Sequence, residues 1–499
     1  MSRHEESVPV LVEVRLPSGA PVPTAHQCAA LDLGLPSFHV EPRWRPVGMA
    51  AGGHNAALGL APGERSFIAR GHMNEERLRE IESGGATTPN DVVEVWRDFP
   101  VVPFAPWPST AQCPDPGSCE CCKNPGPVNN PACAHGFLPD VRAFLGLDAI
   151  QHRGKDVILG MVDSGLAVAG RALPSWTKYV FPADAVPDGW APPGEDPWGS
   201  KSDWGEHGNF TAYDARKMAP RVKLYDIRIT DAFSLPRPNP PLARGMISAA
   251  LAGYEWALND ARPRPHVLSN SWGILQEVWA PRYATDPKHP FTRKVVEAVN
   301  AGIVVLFAAG NCGGECPDPL QLGCGGDTGT GRSIWGANGH PKVITVGAAT
   351  VESKLVGYSS QGPPALKLPT KNVVNRMKPD ISSISHFRGY YFETTGLPLN
   401  DVGTSAATAI AAGLVAVLRG AHPDATPVEI KHALQRTAAP HGAPDLPPQR
   451  QPGSGPDTDV DVLVNSPFQF QWNPHWGAGI VRAEEASEFL RTNVLIKGT

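Results

Sequence analysis

The chain has no run of about 18 apolar residues, the length a helix needs to cross a bilayer; its most apolar stretch, residues 406–418, is shorter. A water-soluble protein is the expectation. Nor is there a run of Lys and Arg, and the formal charge of -5 is small for 499 residues. Neither nucleic acid nor a membrane surface is therefore favoured as a partner. The opening residues lack the apolar core of a signal peptide, because Glu13 and Arg15 interrupt the first apolar stretch. This makes a cytoplasmic location the expectation. No internal repeat is evident.

The chain does contain 41% hydrophobic and 19% charged residues, enough to bury a sizeable core and to exclude wholesale disorder. The length suits two or three units, or one large α/β domain with a smaller companion. Nine cysteines are present. Cys113, Cys119, Cys121, Cys122 and Cys133 form one cluster, Cys312, Cys316 and Cys324 a second, and Cys28 stands alone. In an oxidising compartment such clusters read as disulfides, and in the cytosol as a metal site or reduced thiols. They leave export by another route open.

Residues 8–14 and 65–70 read as strands. Asn74 reads as the cap of a helix over 75–82, which Gly84-Gly85 ends, and 92–96 resumes the strand pattern. Residues 1–105 are thus expected to form a small α+β domain. From 106 to 136 the composition turns to Pro, Gly, Asn and Cys, as in a linker. Beyond it, strands over 157–162, 222–229, 266–269, 303–308 and 343–347 alternate with helices over 243–259 and 291–300. That alternation predicts a parallel sheet with helices on both faces for residues 137–499. Residues 167–206 and 440–475 read as Pro- and Gly-rich surface insertions, and the Trp residues 176, 190, 198 and 204 of the first as packing on one another.

Four short blocks carry chemistry. Asp163-Ser164-Gly165 follows the strand 157–162 at its carboxyl end, where open α/β sheets place their ligand sites. A carboxylate there can orient a histidine, although an Asp after a strand is by itself an ordinary turn former. His207-Gly208 at a helix start offers an imidazole as general base with little backbone bulk around it. Ser405 lies in the first turn of an apolar helix, where it can cap backbone N–H groups or act as a nucleophile beside the positive helix end. Asn311, after Ala308-Ala309-Gly310, emerges at the same sheet edge as Asp163, where its amide can hold an oxyanion.

The Asp-Ser-Gly, His-Gly, Ala-Ala-Gly-Asn and Gly-Thr-Ser-x-Ala blocks, in that order, resemble the subtilases, the subtilisin-like serine proteases of peptidase family S8. Residues 269–273, 358–363, 378–380 and 476–481 resemble the family as well, so the likeness spans roughly 137–495. The resemblance implies a subtilisin-like three-layer α/β fold with a mostly parallel central sheet. It also implies a serine endopeptidase acting on proteins or peptides, with Asp163, His207 and Ser405 as the triad and Asn311 at the oxyanion. Ser271, Trp272, Gly273, Ala309 and Gly310 are the substrate-binding candidates. The first 105 residues resemble, more loosely, the family's inhibitory prosegment. No organic cofactor is expected, and no stretch matches the family's calcium loops.

Asn209, Phe210 and Thr211 depart from the family's usual Thr, His and Val, and Ala406 and Ala409 from its Met and Pro. A catalytically weak binding module and a peptide ligase remain the alternatives, set against four intact reacting groups. The small, neutral residues at 271–274 and 308–313 favour an apolar or unbranched residue before the cleaved bond. Cys312, Cys316 and Cys324 sit beside Asn311 as candidates for a disulfide or a structural zinc, with no standard zinc spacing.

Overall fold

The computed structural model describes residues 7–104, 136–166, 177–180, 206–230, 245–314, 324–368, 377–390, 392–393, 400–439, 462–464 and 470–497. The expected linker up to residue 135, most of both insertions, the four tryptophans of the first, the first cysteine cluster and Cys316 lie outside those residues.

The N-terminal part is an antiparallel sheet of five strands: β1 (Ser7–Leu16), β2 (His39–Val40), β3 (Val47–Met49), β4 (Arg65–Asn74) and β5 (Val92–Arg97). β1 lies between β4 and β5, so a long apolar strand is paired on both edges. The helix Glu75–Glu82 starts at Asn74, whose side chain accepts the Arg77 N–H at 3.1 Å. β6 (Pro100–Pro103) then leaves this sheet.

The larger part is built on β7 (Ile158–Asp163), β8 (Thr177–Val180), β9 (Lys223–Arg228), β10 (Gly245–Met246), β11 (Val267–Asn270), β12 (Trp272–Gly273), β13 (Val304–Ala308), β14 (Ile344–Ala349) and β15 (Ile381–Ile384). Seven of these form one sheet in the order β15-β14-β13-β11-β7-β9-β8, and every pairing in it is parallel. Because successive strand residues face opposite sides, the sheet divides its apolar residues between two cores. Leu159, Met161, Leu224 and Leu306 pack with the helix Gly403–Ala421. Ile158, Val162, Ile227 and Phe307 pack with the helices Ile247–Glu255 and Pro290–Asn300. Covering both faces is why these strands read as unbroken apolar runs.

Several boundaries differ from expectation. Gly245–Met246 is strand, with the helix beginning at Ile247, because β6 pairs with it. β15, which follows the family block 378–380 and was not itself expected as a strand, pairs with β14 in the sheet. Gly403–Ala421 is, by length and composition, apolar enough to cross a membrane, but 83% of it is buried inside the fold. The N-terminal sheet joins the second core directly, since Leu11, Trp44, Ile68, Trp96 and Phe99 cluster with Ile247, Tyr254 and Phe291.

Candidate active site

Three elements bring the expected residues to one edge of the sheet. Asp163 is the last residue of β7, so its side chain emerges where the strand stops being paired. His207 is the second residue of the helix Glu206–Met218, which packs closely on the helix Gly403–Ala421. Gly208 lets the turn after β7 come close to the start of this helix, because a Cβ there would stand 2.2 Å from the Gly165 carbonyl oxygen. Ser405 is the third residue of its helix, with Gly403 at φ +87° opening the first turn.

His207 Nδ1 lies 2.6 Å from Asp163 Oδ1, and His207 Nε2 lies 3.1 Å from Ser405 Oγ. All three residues are buried. Asp163 is held in turn: Oδ1 accepts the Ser164 N–H at 2.7 Å, and Oδ2 accepts the Thr211 hydroxyl at 3.3 Å. Ser164 Oγ accepts the Gly208 N–H at 2.9 Å, tying the turn after β7 to the start of the histidine helix. Phe210, one of the departures noted above, packs edge-on against the imidazole with centroids 4.8 Å apart.

Asn311 joins them from the end of β13. Its Oδ1 accepts from Thr404 N–H at 3.0 Å and Thr404 Oγ1 at 2.9 Å, which orients the amide, so Nδ2 faces the Ser405 hydroxyl's side of the cleft. There it donates to the carbonyl oxygen of Phe104 at 2.8 Å. Ser405 Oγ lies 2.5 Å from that same oxygen. The residues leading to Phe104 are β6, which runs between β10 and β12 as the middle of three antiparallel strands. Pro103 is paired with Trp272, Val102 with Gly273, and the Phe104 N–H donates to Ser271 O at 2.9 Å.

Ser271, Trp272 and Gly273 therefore run alongside this segment as a paired strand edge. Ala309 and Gly310 stand one layer behind: the Ala309 N–H donates to Val346 O at 2.9 Å and the Gly310 N–H to Thr404 Oγ1 at 3.2 Å, so they support the Asn311 turn. Phe104 belongs to one buried cluster with Val102, Leu275, Ala308, Cys312 and Cys324. Leu275 and Cys324 lie outside the two stretches from which the pocket was expected.

Two buried acids near the triad had no signal in the sequence. Asp226 on β9 accepts the Leu166 N–H at 3.0 Å, and burial pushes its carboxyl up to about 6 against the opposing pull of that hydrogen bond and of Arg228. Asp214, two turns beyond His207, is pushed well up by burial and by the adjoining Asp401 carboxyl. Both arise from neighbours distant in sequence.

The metal reading of the second cysteine cluster is corrected. Cys312 and Cys324 are joined in a disulfide with Cα atoms 5.7 Å apart, so their sulfurs are not available as thiolate ligands. Cys316 lies outside the described residues. Among the described residues no group of three or more His, Cys, Asp or Glu is placed to hold a metal ion.

Residues 154–461 match the subtilase family, peptidase S8. Similar curated proteins include the serine protease AprX of Bacillus subtilis, 27% identical over 44% of this chain and 47% of that protein. Mycosin-1 of Mycobacterium tuberculosis is 29% identical over 54% of this chain and 55% of its own length. The chain thus spans about half the length of these relatives. Among solved structures, fervidolysin from Fervidobacterium pennivorans, described as a keratinolytic enzyme related to subtilisin, superposes with a TM-score of 0.53 at 16% identity. The superposition covers 98% of this chain and 62% of that one. The seven-stranded parallel sheet and the match over more than half its length make this chain a member of the subtilase family.

Proposed function

We propose that the protein is a serine endopeptidase held latent by its own N-terminal part, which binds the cleft as a substrate would. One observation carries this reading: the Phe104 carbonyl oxygen lies 2.8 Å from Asn311 Nδ2 and 2.5 Å from Ser405 Oγ. It is presented there by a strand paired on both sides, the arrangement of a peptide ready for acyl transfer.

In the proposed reaction His207 Nε2 takes the Ser405 proton as Oγ attacks the carbonyl carbon. Asp163 holds the imidazole and stabilises the imidazolium that forms. Asn311 Nδ2 and the Ser405 N–H bind the oxyanion. His207 then hands the proton to the departing amine, leaving an acyl-enzyme that water hydrolyses by the same steps in reverse. Applied to the chain itself, this cuts the Phe104–Ala105 bond. The N-terminal sheet would then remain on the helices it already covers, acting as the inhibitory prosegment.

Treatment with a fluorophosphonate, followed by peptide mass spectrometry, tests the nucleophile. Protein freed of residues 1–104 is expected to carry the adduct on Ser405. Freed protein without an adduct would favour the binding-module reading, and transfer of the acyl group to an added amine in preference to water would favour a ligase.

A further inference from the structure

We propose that the Cys312–Cys324 disulfide is the specificity-determining wall of the pocket for the residue that precedes the cleaved bond. The inference rests on the reading of Phe104 as the bound segment's last residue before that bond. Phe104 is 3% exposed, and its cluster contains both cystine residues, themselves only 1% and 2% exposed, together with Leu275, Ala308 and the half-buried Trp279. Gly273 also borders the ring: a Cβ there would come within 2.5 Å of its Cζ. The ring thus lies against bare backbone at Gly273 and shares one buried cluster with the cystine. Sulfur is polarizable and packs well on aromatic rings.

The disulfide also sets where that wall stands. Cys312 directly follows Asn311 and is fixed by its N–H to Ser360 Oγ at 3.1 Å and by Gly329 N–H to its carbonyl at 2.8 Å. Cys324, 12 residues later, is carried on a separate turn, in which the Asp327 N–H donates to the Cys324 carbonyl at 2.7 Å. The covalent link pins this second turn to the Asn311 turn. Without it the pocket loses a bounding surface while Asn311 keeps its two bonds to Thr404. The buried ring sits in an apolar cluster, so a charged residue in the same place would be desolvated at a cost.

The test compares self-processed wild type and the double variant C312S/C324S on peptides that differ only in having Phe, Ala or Glu before the scissile bond. Active sites are counted by fluorophosphonate labelling. The expected result is a Phe-to-Ala ratio of kcat/KM that falls at least tenfold in the double variant and on reduction of the wild type, with Glu poorest throughout. If the double variant fails to fold, Gly273→Ala narrows the same slot from the other side and is expected to lower the same ratio. A ratio unchanged within twofold under reduction and in the variants overturns the proposal. Wild type that hydrolyses none of the peptides and takes no label overturns the endopeptidase reading itself and this inference with it, whereas labelled wild type that prefers Ala or Glu overturns the inference alone.

Discussion

Ser405 Oγ carries one proton and stands among three acceptors: His207 Nε2 at 3.1 Å, Phe104 O at 2.5 Å and Ser271 O at 3.2 Å. Attack requires that proton to go to the imidazole, so Asn311 must take over the carbonyl oxygen as negative charge develops on it. Asn311→Leu is therefore expected to lower kcat by roughly 100- to 1000-fold with KM little changed, a magnitude that comes from a subtilisin and so from this same family. Steady-state kinetics on a peptide substrate check it. Asp226 has a different consequence. Its folded carboxyl, pushed up to about 6, keeps a proton that the unfolded carboxyl loses near pH 4. The stability it contributes is thus full below about pH 4 and is lost as the pH rises through 6. Asp226→Asn keeps an oxygen for the Leu166 N–H and cannot ionise. Denaturant unfolding between pH 4 and 7 is expected to show a shallower loss in the variant, the difference being on the order of 3 kcal/mol at most. That Asp163, His207, Asn311 and Ser405 meet at one sheet edge was legible in the sequence because each sits in a short block with its own local geometry. Phe104 was not, since nothing in Pro103-Phe104 itself marks a carbonyl that meets Asn311 and Ser405 across more than 200 positions.

At the level of elements, the site depends on how closely the turn after β7 meets the histidine helix. Gly208 has no room for a methyl group, as the Gly165 backbone lies in its place. Gly208→Ala is expected to cost about 1–3 kcal/mol of stability, read by chemical denaturation, and to reduce fluorophosphonate labelling of Ser405 because His207 is displaced with the helix. The parallel strands were readable as apolar runs, and the observed sheet has them where alternation placed them. The failures occurred where pairing decides conformation. Gly245–Met246 looks like the start of an apolar helix and is instead drawn into a strand by β6. The pocket was expected to be lined by small residues, but Leu275 and Cys324 enter it through tertiary packing and the disulfide.

Across the whole molecule, the N-terminal sheet is attached by more than its last strand. Arg282 stacks 4.0 Å from the Trp96 ring, donates to Val95 O at 2.9 Å and pairs with Glu94 at 3.2 Å, while Arg293 pairs with Glu13 at 2.5 Å. These contacts are independent of the cleft, so they bear on release and not on cleavage. Arg282→Ala is expected to weaken retention of the cleaved N-terminal part by about 5- to 30-fold, from the loss of about 1–2 kcal/mol. The readout is a shortened lag before peptide hydrolysis begins, with the rate of the first cut unchanged.

The proposed latency ends when this chain's own Ser405 cuts after Phe104. Intact-mass measurement of the full-length protein and its Ser405→Ala variant, purified and incubated side by side, tests it most directly. The wild type is expected to divide between Phe104 and Ala105 while the variant stays whole. A wild type that stays whole, or a variant cut at the same bond and rate, would contradict it.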